Sequence, residues 1–278
     1  MVYLLLDIVS TAAILFAVAV GLLVVLGVLK IVNFAHGAFL VIGCYSALVA
    51  SRLGWNPWLA YPFAFLTGAL VGAVIERLVV RPLYSRPLDA ILATWGLSII
   101  IGQLITIGFG REIQFVQPPI TGAITLLGET YSEYRLFLIM AATAVAAGVA
   151  ALLNLTKLGL EARAVIMNEP LAMALGINSD WVRFATFCLG SALASLAGAL
   201  ITPLSSVDPN MGVPWLVNAF MLVLVSSVSL VSLAAAAIVL GGAQVLVSTF
   251  INPVIGGLTI VVLAALILRI RPQGFSRG

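Results

Sequence analysis

The sequence predicts an all-α fold: a polytopic membrane helical bundle of about eight or nine transmembrane segments, some of them discontinuous or re-entrant. Three observations carry this. Of 278 residues, 63% are hydrophobic and only 8% charged. The mean hydropathy is +1.22. Apolar runs of spanning length recur from one end of the chain to the other. A soluble domain carries about 25% charged residues, so this chain lacks the charges to cover a globule, and lipid must solvate most of its surface. The net charge of +3 and isoelectric point near 9.1 do not point to nucleic acid. The basic residues sit beside apolar runs, the pattern of membrane orientation.

Runs of about 18 apolar residues or more fall at 8–29, 34–51, 57–79, 89–109, 135–156, 181–203, 215–231, 233–250 and 256–270. The seventh and eighth are barely separated, which makes one of them a candidate re-entrant segment. The opening "MVYLLLDIVS" carries Asp7 and no basic residue before Lys30; a secretory signal begins with basic residues, so the first segment is expected to be retained. With the N-terminus outside, the inner connections hold Lys30, Arg77, Arg81, Arg86, Lys157, Arg163, Arg183, Arg269, Arg271 and Arg277. The outer loops keep Arg52, Arg111 and Arg135. The positive-inside rule therefore selects N-out, C-in.

Helices in lipid associate through small residues. Gly68 and Gly72 form one such pair, and Gly190, Ala194 and Gly198 repeat the same spacing. They read as bundle packing or as a smooth face beside a solute path. No stretch outside the segments is long enough for a further domain, so residues 1–278 are expected to form a single transmembrane domain. Cys44 and Cys188 lie in apolar segments without a second thiol nearby and read as small buried residues.

Several chemistries are disfavoured. The two lysines, Lys30 and Lys157, precede Ile31 and Leu158, whereas a Walker A loop needs Gly-Lys-Ser/Thr; any ATPase must be another polypeptide. Ion-coupled carriers place carboxylates deep in their helices, yet Asp7, Glu76, Asp89 and Asp180 all fall near segment ends. The Gly96–Ile99 stretch "GLSI" is a faint serine-protease setting, but a serine nucleophile needs a base and His36 is the one histidine. Neither an enzyme nor a metal site is expected.

The inner connection, 157–180 within "TKLGLEARAVIMNEPLAMALGINSDWVRF", mixes charges with apolar residues. Pro170 suits a helix start, where its missing N–H costs nothing. Gly176 suits a left-handed helix end. Two short amphipathic helices are predicted, either resting on lipid headgroups or forming a knob that a soluble partner grips.

"LKIVNFAHGAFLVIG", 29–43, puts a lysine, an asparagine and the histidine between two long apolar runs. Lys30 is expected to end the first helix and Asn33 to cap the next, accepting from an unpaired backbone N–H. His36 then falls in the first turn and Gly37 permits close backbone approach. Polar groups at this depth survive where they face protein or a watery cavity. The motif therefore shapes a buried helix start, with His36 either bonding a neighbouring helix, shaping a gate or touching solute. Thr94, Ser98, Gln103, Asn218 and Gln244 are polar positions within apolar runs and candidates to line the path.

This "IVNFAHG" text resembles the branched-chain amino acid class of ABC importer permeases. The inner loop is similar to that family's coupling region at Glu161, Arg163, Ala164, Ala172, Gly176, Ile177 and Asn178, with Asn168 and Glu169 in the same stretch. The closing "RIRPQGF" resembles the family's Arg-Pro-x-Gly-hydrophobic ending. The likeness spans nearly the whole chain. "RPLYSRPLDAILATWGLSIIIGQ", 81–103, and "VDPNMG", 207–212, look more like the urea or short-amide branch. The family has a glycine-rich turn where this chain reads "VSSVSLVSL", 225–233; serines make positive φ costly, so the break has become a more regular helix or the transport geometry differs.

The resemblance implies a bacterial inner-membrane importer moving urea, a short amide or a branched-chain amino acid by alternating access. Its partners would be a second homologous permease, two cytoplasmic ATPase subunits carrying ATP and Mg, and an extracytoplasmic solute-binding protein. No cofactor is expected on this chain. An ion- or proton-coupled carrier or channel acting alone is the alternative.

Overall fold

A computed structural model describes residues 2–126, 129–227, 229–272, 274 and 275. Arg277 of the inner basic set, Gln273 of the closing signature and Val228 of the serine-rich stretch lie outside the described residues.

Seven helices are long and apolar enough to cross a bilayer. Five are α1 (Val2–Leu29), α3 (Ala60–Ile75, prolonged by one turn at its start and two at its end), α4 (Pro87–Phe109), α5 (Glu133–Leu155) and α8 (Ser179–Ile201). The other two are α10 (Leu230–Phe250) and α11 (Pro253–Ile270). Between α5 and α8 lie the short helices α6 (Lys157–Met167) and α7 (Glu169–Ala174). Asparagines start several of these helices. Asn56 Oδ1 accepts from Trp58 N, Asn178 Oδ1 from Trp181 N and Asn252 Oδ1 from Val254 N. Prolines follow in the first turn at Pro57 and Pro253, where no intrahelical donor is lost.

The expected bundle of eight or nine segments, some of them discontinuous, is found among the described residues as seven long helices and two short ones. The expected segments at 34–51 and 215–231 fold as α2 (His36–Arg52, 17 residues) and α9 (Gly212–Ser226, 15 residues). At about 1.5 Å per residue these reach roughly 22–26 Å, short of a hydrocarbon core of about 30 Å. Both are discontinuous helices, and their N-termini meet: a Cβ on Gly37 would lie 2.7 Å from the Gly212 carbonyl oxygen, and one on Gly212 would lie 2.3 Å from that of Gly37.

Contacts define the two ends of the bundle. At one end Asp7 pairs with Arg135, and Arg52 donates to Gln114, which bridges to Val207. This is the N-terminal end, and a two-stranded hairpin, β1 (Ala123–Leu126) with β2 (Glu129–Ser132), sits there in a connection that carried no expected element. At the other end Arg81 pairs with Asp180, Arg183 pairs with Glu169, and Phe275 N donates to Val225 O. Most basic residues sit at this second end, which is the cytoplasmic side by the positive-inside rule.

The core is α1 and α8, with α2 and α3 laid against α8. Gly68 and Gly72 of α3 face Ser195 and Ser191 of α8; Gly190 faces Gly21 and Val25; Gly198 faces the Leu40 carbonyl; Ala194 is fully buried. Added Cβ atoms at the four glycines would come within 2.0–2.6 Å of those neighbours. Backbones this close gain dispersion contacts that lipid cannot match.

Candidate functional site

Two regions combine polar groups, irregular backbone and exposed surface. The first is the junction where α2 and α9 begin. Lys30 ends α1 with φ 55, and the chain then turns back into the bundle. Asn33 does not cap α2 as expected. Its Oδ1 accepts from Ala35 N at 3.0 Å, a local turn two residues on, and α2 starts at His36. The reason is local: a short asparagine side chain reaches the N–H two residues ahead as readily as one in a helix. His36 is buried, and its Nε2 donates to the Val18 carbonyl oxygen at 2.8 Å. Val18 is in the middle of α1, so α2 begins deep in the bundle.

Thr94 was a candidate lining group, and the structure places it elsewhere. It is buried, donates to Ile91 O and accepts from Phe34 N at 3.2 Å, tying α4 to the turn before α2. Phe34 packs on Phe220 of α9 with ring centroids 5.3 Å apart. The two helix starts are thus held together by the close backbone approach at Gly37 and Gly212 and, from the turn before α2, by the Phe34–Phe220 pair.

The other four candidates divide into two pairs on either side of α9. Ser98 and Gln103 line a cavity of about 150 Å³ between α2, α4 and α9, with Gly37, Asn210 and Gly212. Asn218 and Gln244 line a cavity of about 560 Å³ between α1, α9, α10 and α11, with Thr11 and Trp215. Among their described lining residues neither cavity carries an ionisable side chain. Such a lining offers hydroxyl and amide hydrogen bonds to a neutral polar group. It offers no counter-charge to an ion.

The break after α9 is retained. Ser227 adopts φ 53 and Ser229 begins α10, accepting from Ser232 N at 3.5 Å. The serine-rich stretch has therefore not become a regular helix. A non-glycine residue stands at positive φ with ψ −147, a conformation nearly exclusive to glycine, at a cost on the order of 1–3 kcal/mol.

The second region is the inner pair α6–α7. Thr156 Oγ1 accepts from Gly159 N at 3.2 Å and Asn168 Oδ1 accepts from Leu171 N at 3.1 Å, starting the two helices. Pro170 lies in the first turn of α7. Gly176, at φ 87, ends it. There Ile177 N donates to Ala172 O and Gly176 N to Met173 O, both at 3.0 Å; this pairing is the Schellman closure that requires a left-handed residue at the glycine. Ala162, Val165 and Ala172 are buried against the inner core. Arg163 is exposed and donates to Asn154 Oδ1, the Ala164 carbonyl receives Asn168 N, and Glu161 is half-buried. Leu160, Met167, Leu171, Met173 and Leu175 are between 50% and 86% exposed. The pair is anchored by small residues and presents large apolar ones outward.

Sequence reasoning missed a polar cluster beside this second region. Glu76 heads a π turn, Glu76–Val80, at the inner end of α3 and is fully buried. Its Oε1 accepts a hydrogen bond from the Tyr84 hydroxyl. Arg183 lies with Cζ 4.8 Å from the Tyr84 ring centroid and pairs with Glu169 at 2.5 Å. Burial, and next the hydrogen bond to Glu76, push the Tyr84 phenol well above the usual tyrosine range, so it stays a donor at physiological pH. The available signal was an acid inside the 57–79 apolar run, and π turns are frequent at functional positions.

The fold and these sites together define a polytopic membrane permease with two helices too short to span the bilayer. The family model for the branched-chain amino acid transport system permease component matches residues 4–270, and the chain belongs to that family of ABC transport permeases. It is a multi-pass protein of the bacterial inner membrane. It is 26% identical over 276 residues to the high-affinity branched-chain amino acid transport system permease protein LivH of Salmonella typhimurium, covering 92% of this chain and 89% of that one. It is 31% identical over 206 residues to a probable branched-chain amino acid transport permease protein LivH of Methanocaldococcus jannaschii, covering 70% and 64%. Its fold is similar to that of a solved structure, PsaBC from Streptococcus pneumoniae in complex with Fab. The TM-score is 0.54 at 14% identity, over 97% of this chain and 92% of that one.

Proposed function

We propose that this chain is the membrane subunit of an ABC importer, moving a small nitrogenous solute inward by alternating access. Two separate cytoplasmic ATPase subunits, which hold ATP and Mg, grip α6–α7. A second homologous permease completes the passage, and an extracytoplasmic binding protein delivers the solute. The observation that carries this reading is the inner pair itself. Its two ends are capped, its small residues anchor it, and its large apolar residues point away from the chain's own core. A helix that merely rested on headgroups would need one continuous apolar face. Here a tight glycine-closed corner turns the surface into a compact knob.

For the solute, a branched-chain or related amino acid is the reading that the relatives' names support. A neutral short amide such as urea is a second reading, favoured by the uncharged lining at Ser98, Gln103, Asn218 and Gln244. The cognate binding protein decides between them: submicromolar affinity for leucine, isoleucine or valine selects the first, and affinity confined to urea or short amides selects the second.

Reconstitution tests the mechanism. Uptake into vesicles should require both the ATPase subunits and ATP. Transport by this chain without nucleotide would instead make it an ion-coupled carrier or channel. Leu171→Asp should weaken co-purification of the ATPases about tenfold, near 1.4 kcal/mol, and Arg163→Glu should lower uptake per ATP hydrolysed. Unaltered docking and coupling in both variants would remove the knob from the mechanism.

A further inference from the structure

At the cytoplasmic end, among the described residues, two buried polar atoms lack a hydrogen-bond partner and have opposite needs. Glu76 Oε2 is an acceptor and Arg183 Nε is a donor. Both belong to charged side chains, for which lack of a partner under burial is costly. They are linked through one residue: Tyr84 donates to Glu76 Oε1, and the Arg183 guanidinium lies 4.8 Å from the Tyr84 ring centroid. Arg183 spends its Nη2 on Glu169, the first residue of α7.

We propose that Arg183 exchanges carboxylates during transport: it holds Glu169 of the knob in the conformation described, and passes to Glu76 of α3 when the knob is pulled. Glu76 is then a positioning residue for coupling. This rests on the reading of α6–α7 as the part gripped by the ATPases.

Three features suit such an exchange. The guanidinium has a fork of donors, so it can reach a second carboxylate before releasing the first. Glu76 begins a π turn, a helical irregularity that can shift by a residue. Arg183 lies in the first half of α8, so its displacement acts on a helix packed without slack against α3, through Gly68 and Gly72. Arg81, in the turn that follows Glu76–Val80, and Asp180 of α8 form a further ion pair at this end; both are substantially exposed, so solvent screens that pair and it holds the ends loosely.

The test uses the complete reconstituted importer and reads ATP hydrolysis without the binding protein alongside solute uptake. Glu76→Gln removes the second carboxylate's charge at nearly constant volume. It should leave the ATPases bound, lower basal hydrolysis and reduce uptake about tenfold, within the usual range of coupling between sites. Glu169→Gln leaves Glu76 as the remaining carboxylate for Arg183 and should raise basal hydrolysis about fivefold by favouring the exchanged arrangement. Opposite signs are the signature that a packing defect cannot produce. Changes of the same sign, or no change, would overturn the exchange. If Glu76→Gln fails to assemble, the Glu169→Gln rise decides by its presence or absence; loss of assembly in both variants would make the cluster a packing element. If the wild-type complex shows no ATPase-dependent uptake, the importer reading itself falls instead.

Discussion

The contact of α2 with α8 and the knob α6–α7 are built on opposite principles. Along the first, backbones touch. A Cβ on Gly43 would lie 1.8 Å from the Ser195 carbonyl oxygen, and one on Gly198 would lie 2.0 Å from that of Leu40. Ser195 donates across the same contact to Phe39 O at 2.7 Å. In the knob, buried alanines and a valine hold one side while leucines and methionines stand in the open. The difference teaches where motion is possible. Close-packed interfaces are bistable and do not deform smoothly, so α2 and α8 must travel together as one body, and displacement has to be applied at the knob.

Substitutions can break or sharpen this contrast, beginning with the largest effect. Gly198→Leu should abolish the folded bundle or cost at least about 3 kcal/mol, because overpacking has no room to relax between two backbones. Thermal unfolding of the purified variant in detergent measures it, and a wild-type melting temperature would mean that α2 and α8 can separate. His36→Ala should cost about 2 kcal/mol, through the lost bond to Val18 O and the cavity left behind. It should reduce assembly or coupled ATP turnover without altering solute preference; an assembled variant with changed preference would move His36 from the scaffold to the path. Ser227→Gly should be the mildest change and stabilising, by about 1 kcal/mol, since glycine adopts φ 53 without the side-chain penalty. A rise in melting temperature with unchanged uptake is the expected result. A fall in uptake would show that strain at this break is used.

The inner knob was the most legible of the sites in the sequence. Pro170, Gly176 and the asparagines Asn168 and Asn178 act within a few residues of themselves, so local chemistry sufficed to place both helices. The junction was half legible. Asn33, His36 and Gly37 stood out as costly residues between apolar runs, but the bond from His36 to Val18 and the approach of Gly37 to Gly212 join distant parts of the chain. Thr94 could not be told from a path-lining residue, because its partner Phe34 lies sixty positions away in sequence. Glu76 was read only as an acid near a segment end for the same reason: its importance comes from Tyr84 and Arg183 arriving beside it.

By itself the sequence determined that lipid is the solvent, that the N-terminal and C-terminal ends face opposite sides, and where short helices start and stop. Those properties follow from transfer free energies, charge placement and capping, which are local sums over neighbouring residues. Only the tertiary structure decided that two of the apolar runs are short helices whose N-termini meet, and that four of the five polar candidates divide between two cavities. Hydropathy measures how well a run tolerates lipid. It carries no information about how deep the run reaches or which backbone it touches, because those are set by close packing between segments far apart in the chain.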